Sequence, residues 1–398
     1  MGYSTPYTIF LTALAIIGVI QISAKWTSVS QKIFMALSFL MSLVFIGTRG
    51  YVQTDYYNYY TIFQVIPDMG PDLIENLKEC STDIGFLIYT YLLKSICDSY
   101  FFFIFVSTLI DFVLLSIFFK RYLKEPIYAL FLIVFFYYGG LILELNLLRN
   151  VKSILLFCLS IKYIESKQPL KYLILNLIGL SLHWSSIVFI PLYLILNIKT
   201  KERTYWIMLA SALVIFFLSP YILKPVLKAI SSPISVVGER TLSYLDVHEY
   251  ARPKDLSVGD LIRLVMAIIT GLSFKQLTKS IENCHIFINM YLIYLFTAAC
   301  GHGMEIILAR LGNLFCPSMW IIFPALILCS GKLYKPILYS AICLICISGT
   351  IILTKDEEIN YYDSWLITPS YKSFEEREKT LMQFHKEHSI INSTHKEQ

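Results

Sequence analysis

The chain has 398 residues, of which 56% are hydrophobic and only 15% charged, and its mean hydropathy is +0.63. Those proportions exclude an ordinary soluble enzyme, and a net charge of +5 is what the basic loops of a membrane protein supply, so no nucleic acid is expected as a partner. The nine cysteines lie mainly in apolar stretches, and the one close pair, Cys343 and Cys346, has no histidine neighbours; they read as small core residues.

Apolar runs of roughly 17–25 residues, the length that crosses a bilayer as a helix, recur along the whole chain and predict an all-α, polytopic integral membrane protein with about twelve transmembrane helices. The expected spans lie at 7–24, 32–48, 100–119, 126–143, 147–164, 169–183, 184–198, 204–221, 259–274, 284–300, 313–331 and 335–354. The first reads as a span and not as a cleaved signal peptide, because Met1-Gly2-Tyr3 offers no basic n-region. Alternate short loops carry basic clusters: Lys25 and Lys32; Lys120, Arg121 and Lys124; Lys162, Lys167 and Lys171; Lys199, Lys201 and Arg203; Lys275 and Lys279; Lys332 and Lys335. The positive-inside rule places these loops in the cytoplasm and both termini outside.

The stretch Ile84 to Ile96 is apolar but short and carries Lys94. Counted as a span it would throw Lys120 to Lys124 outside, so an amphipathic helix on the outer surface is expected there. Residues 1–354 then form the membrane domain, with long outer loops at about 50–99 and 222–258 holding short amphipathic helices. Residues 355–398 form a polar C-terminal tail on the same side, ending in a solvated helix or a disordered stretch around His385 and His388.

Arginines and histidines gather beside the outer ends of these spans: Arg49, Arg149, His183, Arg263, His302 and Arg310. Ionisable groups at membrane depth cost roughly 2.5–3.5 kcal/mol each on insertion scales, so a ring of them on one side points to a site for an anionic, membrane-borne substrate. Arg49 opens a run of Asp55, Tyr56, Tyr57, Asn58, Tyr59, Tyr60 and Phe63. Arginine suits bidentate phosphate contacts, and a carboxylate beside tyrosine rings suits a sugar; interfacial tyrosines with a structural Arg49–Asp55 ion pair are the competing reading.

Asn146, Arg149, Lys152 and Ser153 share one helix face by their three- and four-residue spacing, and two cations near a helix N-terminus make an anion seat. Snorkelling to headgroups, with a salt bridge to Glu144, would explain the same residues. His183, with Trp184 and Ser185 at a bend, can exchange a proton with a hydroxyl or stay protonated against phosphate, or can simply pack and hydrogen-bond. Further outer groups are Arg240 with Tyr244, Arg252, Arg263 beside Asp260, His302 with Glu305, and Arg310; Arg263–Asp260 and His302–Glu305 are also plausible local pairs. Asp111 lies in mid-span without a local partner, which fits an interhelical hydrogen bond better than a proton relay. No Asp-x-Asp pair, phosphate-binding loop, HExxH or Gly-x-Ser-x-Gly element is present, so neither a metal nor another cofactor is expected and a glycosyl donor should be lipid-linked.

In these elements the sequence resembles the EpsG/Wzy-type family of bacterial polysaccharide polymerases. The similar features, in order, are Arg49 then Asp55, Tyr56, Tyr60 and Phe63; Asp83, Gly85 and Phe86 at the start of a helix; and Arg149 opening a span. They continue with His183 and Ser185 between helices, Arg310 near Phe315, and Tyr371 to Phe374 in the tail. The chain departs from the family where Gln53 stands in place of a frequent Gly, and where Asn150 stands in place of a Gln after the arginine.

The resemblance implies metal-independent joining of undecaprenyl-diphosphate-linked oligosaccharide repeat units on the periplasmic face of the bacterial inner membrane, with undecaprenyl diphosphate as leaving group. Arg149, His183 and Asp55 are then the expected catalytic groups, and Arg49, Tyr56, Tyr60, Lys152, Arg240, Arg263, His302 and Arg310 the expected substrate contacts. The lipid bilayer, a chain-length regulator, a flippase and a ligase are the implied partners. An O-antigen ligase and a non-enzymatic flippase for lipid-linked oligosaccharides remain the alternative readings.

Overall fold

The computed structural model describes residues 2–23, 27–66, 82–123, 127–231, 255–304, 311–368 and 372–394. Among them the chain is helical, with one isolated bridge between Arg49 and Ser364 and no strand. The helices are α1 (Thr5–Ser23), α2 (Ser28–Gly47), α3 (Tyr56–Val65), α4 (Ile84–Ile96), α5 (Tyr100–Tyr122), α6 (Tyr128–Leu145), α7 (Leu148–Glu165) and α8 (Pro169–Leu182). They continue as α9 (Glu202–Ser231), α10 (Val258–Leu272), α11 (Phe274–Ser280), α12 (Cys284–Gly303), α13 (Pro317–Cys329), α14 (Tyr334–Thr354) and α15 (Phe374–Thr394).

Seven helices among the described residues are long and apolar enough to cross a membrane: α1, α2, α5, α6, residues Glu202–Leu223 of α9, α12 and α14. Helices α4, α8 and α13 are apolar but shorter. The chain is therefore an all-α, polytopic membrane protein. Five expected spans are not helices of that kind: α7, α8, α10 and α13 are shorter or more charged, and residues 184–198 form a 3-10 helix, Trp184–Phe189, and a short α-turn, Leu192–Leu196. Pro191 sits between them, and without an N–H it cannot carry an α-helical hydrogen-bond ladder across the junction.

Residues 1–193 and 331–398 make one compact unit, and residues 194–330 a second. In the first, α1 packs on α6 and α14, α2 on α5, α5 on α7, and α7 on α8. Its core is aromatic: Phe10 stacks on Phe45 at 4.2 Å, and Phe112, Phe135 and Phe136 meet edge to face. In the second unit α9 lies along α12, and Trp320, Phe323 and Tyr291 are fully buried between α12 and α13.

Local signals set the ends of several helices. Thr27 and Ser99 cap α2 and α5 by accepting from the backbone N–H groups of Ser30 and Phe102. Helix α6 is broken at Phe136–Gly140, where Gly139 takes φ 94°, a left-handed conformation that an L side chain resists. Irregular backbone at membrane depth survives only where protein shields it. Phe136 and Gly140 flank the break and are buried, while Tyr138 and Gly139 within it are half-buried.

Candidate functional site

The site grows from the first unit, at the junction between α6 and α7. Helix α6 ends at Leu145 and α7 begins at Leu148, which leaves Asn146 between them and puts Arg149 in the first turn of α7. Asn146 Oδ1 accepts from the backbone N–H groups of Thr54 at 3.1 Å and Asp55 at 2.7 Å, tying the start of α3 to the start of α7. Asp55 then begins α3, which brings Tyr57, Asn58 and Tyr59 to one wall of a polar cleft of about 320 Å³. Thr82 and Arg149 complete it, so the cleft holds a carboxylate, a guanidinium, an amide and hydroxyls.

Behind Arg149, two side chains converge on one oxygen of a third. Arg149 Nη1 donates to Asp83 Oδ2 at 3.0 Å, and His183 Nδ1 lies 3.3 Å from the same atom. Asp83 stands just ahead of α4, and its side chain meets these two partners and the Trp184 backbone N–H and does not cap its own helix. His183 follows α8 in an extended conformation. The two meet because Gly85 allows α4 to lie against the end of α8: a Cβ there would sit 2.7 Å from the Ser181 carbonyl carbon. Burial alone would raise the Asp83 carboxyl, but the hydrogen bond from His183 and the charge of Arg149 outweigh it and hold Asp83 below the usual carboxylate value. Burial pushes the Tyr59 phenol up, with the Asp55 charge adding to it and Arg149 opposing.

Other expected site residues are occupied elsewhere in the same unit. Arg49 is 3% exposed, and its guanidinium donates to the Ile46 carbonyl at 2.7 Å, to Thr108, and to the Glu144 carbonyl. It ties the end of α2 to the end of α6 and does not line the cleft. Lys152, one turn beyond Arg149, points between the helices, where its ammonium meets Asp111 at 2.7 Å and lies over the Tyr89 ring. The mid-span partner of Asp111 is thus Lys152, and both are buried.

Tyr56 is 4% exposed, packed against Tyr51 and Phe374. Tyr60 stacks on Phe374 at 4.3 Å. The rings at 56 and 60 therefore pack on Tyr51 and on the tail, while Tyr57 and Tyr59 reach the cleft.

The tail supplies residues that no motif announced. Arg377, from α15, is 2% exposed and donates to the carbonyls of Tyr51 at 2.6 Å, Ile359 at 3.1 Å and Glu358 at 3.2 Å. Burial lowers its affinity for the proton and raises that of Asp363, whose Oδ2 accepts from the Lys372 backbone at 2.7 Å. The start of the polar tail is folded against the loop that leads into α3, because its arginine finds carbonyls that have no other donors of comparable strength. The preceding run of aromatic and charged residues gave only its polarity to the eye.

In the second unit, Arg263 pairs with Asp260, which also closes a capping box with Ser257 at the start of α10. The local pairing expected for these two is what the helix forms. Arg263 borders an apolar cleft of about 500 Å³ between α9, α10 and α12. His302 stacks on Phe216 at 3.9 Å, and its Nδ1 is buried. Arg240, Arg252, Tyr244, Glu305, Arg310 and Tyr371 lie outside the described residues.

Asp83 was legible only as a part of the family resemblance, and Asn146 only as a member of a helix face. An acid placed immediately before an amphipathic helix, two residues ahead of a glycine, was the signal available for Asp83. A search of the curated proteins and a search of the solved structures each return no match. A model of the EpsG family matches residues 32–362, a stretch that contains the Asp55 cleft, Asp83, Arg149 and His183, and the chain belongs to the EpsG family.

Proposed function

We propose that this chain is a polysaccharide polymerase that joins lipid-diphosphate-linked oligosaccharide repeat units, undecaprenyl diphosphate being the carrier, on the periplasmic face of a bacterial inner membrane. The observation that carries the reading is the convergence of Arg149, Asp83 and His183 beside a polar cleft whose opposite wall begins at Asp55. A diphosphate and a saccharide need different chemistry, and the two ends of this cleft supply it. Arg149 is the anion end, because a guanidinium fork matches phosphate oxygens. Asp55, Asn58 and the tyrosine hydroxyls are the sugar end, because carbohydrate hydroxyls need acceptors and donors in close array.

In this mechanism an acceptor hydroxyl attacks the anomeric carbon of the donor. The bond from that carbon to the diphosphate oxygen breaks, and its electron pair leaves with the lipid diphosphate. Asp55 takes the proton from the attacking hydroxyl. Arg149, with His183 beside it, stabilises the negative charge that collects on the leaving group, and fixed donors aimed at developing charge are worth more here than in water.

Two measurements test it. A clean deletion strain should show lipid cores capped by a single repeat unit and no ladder on a surface-glycan gel, restored by complementation; an unchanged ladder would refute the polymerase reading. At matched expression, Arg149→Ala should lower polymer formation by about 10²–10³-fold, the usual loss for an oxyanion-type donor. Arg149→Lys should retain part of the activity, since it keeps the charge and loses the fork. Polymer of normal length and yield from the alanine variant would remove Arg149 from the chemistry.

A further inference from the structure

We propose that Asp83 is the positioning residue of this site: it holds His183 with the proton on Nδ1, and it passes from Arg149 to His183 when an anionic phosphate takes the guanidinium. The proposal rests on the placement of the anion end described above, but not on the polymerase chemistry.

The argument starts from a shared atom. Asp83 Oδ2 receives Arg149 Nη1 at 3.0 Å and faces His183 Nδ1 at 3.3 Å. An ionised carboxylate only accepts, so the histidine nitrogen that faces it must carry a proton. In the neutral ring the other nitrogen, Nε2, is then the acceptor. Second partners of this kind are what usually decide the tautomer of a working histidine.

The three side chains are only partly exposed, 28% for Arg149, 21% for Asp83 and 22% for His183, so an entering anion reaches them without the site opening. Arg149 also borders the cleft, whereas Asp83 and His183 do not line it. The arginine is therefore the group an anion meets first, and its Nε is buried without a partner among the described residues.

The charges around His183 fix the direction of the coupling. The ionisable groups around it are Asp83 ahead of α4 and, across that carboxylate, Arg149 at the start of α7, which in turn hydrogen-bonds with Tyr59 on α3. Lys152 on α7 is committed to Asp111, Lys94 at the far end of α4 to Asp98 and the Phe63 carbonyl, and Lys171 lies at the opposite end of α8. With the anion absent, the Arg149 cation competes with the ring for one carboxylate oxygen. An anion on Arg149 takes the guanidinium and leaves that oxygen to the ring, which strengthens the hydrogen bond from His183 Nδ1. A substrate diphosphate would thus tighten the hold of Asp83 on His183 as it binds.

The test uses full-length protein labelled with ¹⁵N-histidine, solubilised in detergent, with inorganic pyrophosphate as the probe; His183→Gln identifies the signal among the seven histidines. Wild type should show the Nδ1–H tautomer and, at saturating pyrophosphate, a downfield shift of the His183 Nδ1–H proton signal as the carboxylate oxygen shared with Arg149 passes to the ring. Asp83→Asn should lose the tautomer preference and most of the shift. Arg149→Ala should keep the tautomer and lose the shift, a split that a merely structural Asp83 would not produce. An unchanged tautomer in Asp83→Asn, or no shift in wild type at any pyrophosphate concentration, would overturn the proposal. These signals are independent of the glycan gel: a correct tautomer and shift together with an unchanged ladder in the deletion strain would sink the polymerase reading alone.

Discussion

Gln53 occupies the left-handed region with φ 68°, where a side chain costs about 1–2 kcal/mol. It stays there because its backbone N–H donates to the Ile359 carbonyl at 2.9 Å and its side-chain amide meets Asn360. The family's frequent glycine at this place now has a physical reason: the turn that delivers Thr54 and Asp55 to Asn146 needs positive φ. Gln53→Gly should remain within about 1 kcal/mol of wild type, the relief of strain offsetting the lost hydrogen bond. Gln53→Val should be worse than glycine by about 1–2 kcal/mol, because a β-branched residue fits that region poorly. Thermal unfolding of the two variants in one detergent measures the difference, and equal stability would show that the turn carries no strain.

Among the elements, the contact of α4 with α8 decides whether the Asp83 cluster exists. Gly85 has no room for a Cβ: one would lie 2.3 Å from Ser181 Oγ as well as against the Ser181 carbonyl. Gly85→Ala should leave helix content unchanged by circular dichroism, since alanine favours helix, yet lower activity by about tenfold or more as α4 moves off α8 and Asp83 off His183. Normal activity would mean that the two helices can part without loosening the site. Asn146 and Arg149 stand close together because α6 ends at Leu145 and α7 begins at Leu148.

At the scale of the molecule, the first unit is built from both ends of the chain, residues 1–193 with 331–398. The tail takes part in it through Arg377 and through Phe374, which packs on Tyr51, Tyr56, Tyr57 and Tyr60. Truncation after Thr354 removes none of the cleft residues, yet it should abolish activity and lower the melting temperature, because the aromatic face of α3 loses its cover. Arg377→Ala should do the same in part, at a cost on the order of 1–3 kcal/mol, because the Tyr51 carbonyl loses its charged donor while those of Ile359 and Glu358 keep the backbone N–H groups of Gln53 and Tyr361. A truncated chain with full activity would show that α3 holds its place without the tail.

How much of this was readable in advance follows from the range over which each signal acts. Hydrophobic run length is local, so the all-α membrane class and nearly all the helices stood in the sequence, and the short helix at Ile84–Ile96 stood there with its bounds. Of the twelve expected spans, seven are long and apolar enough to cross a membrane, and the run at 184–198 forms no long helix at all, because composition there is apolar throughout while Pro191 denies the backbone its ladder. Arg149, His183 and Asp55 were legible as charged or polar groups at the ends of apolar runs. Their assembly was not, since Asp83 lies 66 residues from Arg149 and 100 from His183. Nor did the sequence distinguish Arg149, which meets a cleft, from Arg49 and Lys152, which are spent on carbonyls and on Asp111. By itself the sequence determined what must leave water and what must be paid for by partners, because those depend on residue type and spacing. The tertiary structure alone decided which cation found its partner inside the protein and which was left facing the cleft, because that depends on how helices distant in the chain are rotated against one another.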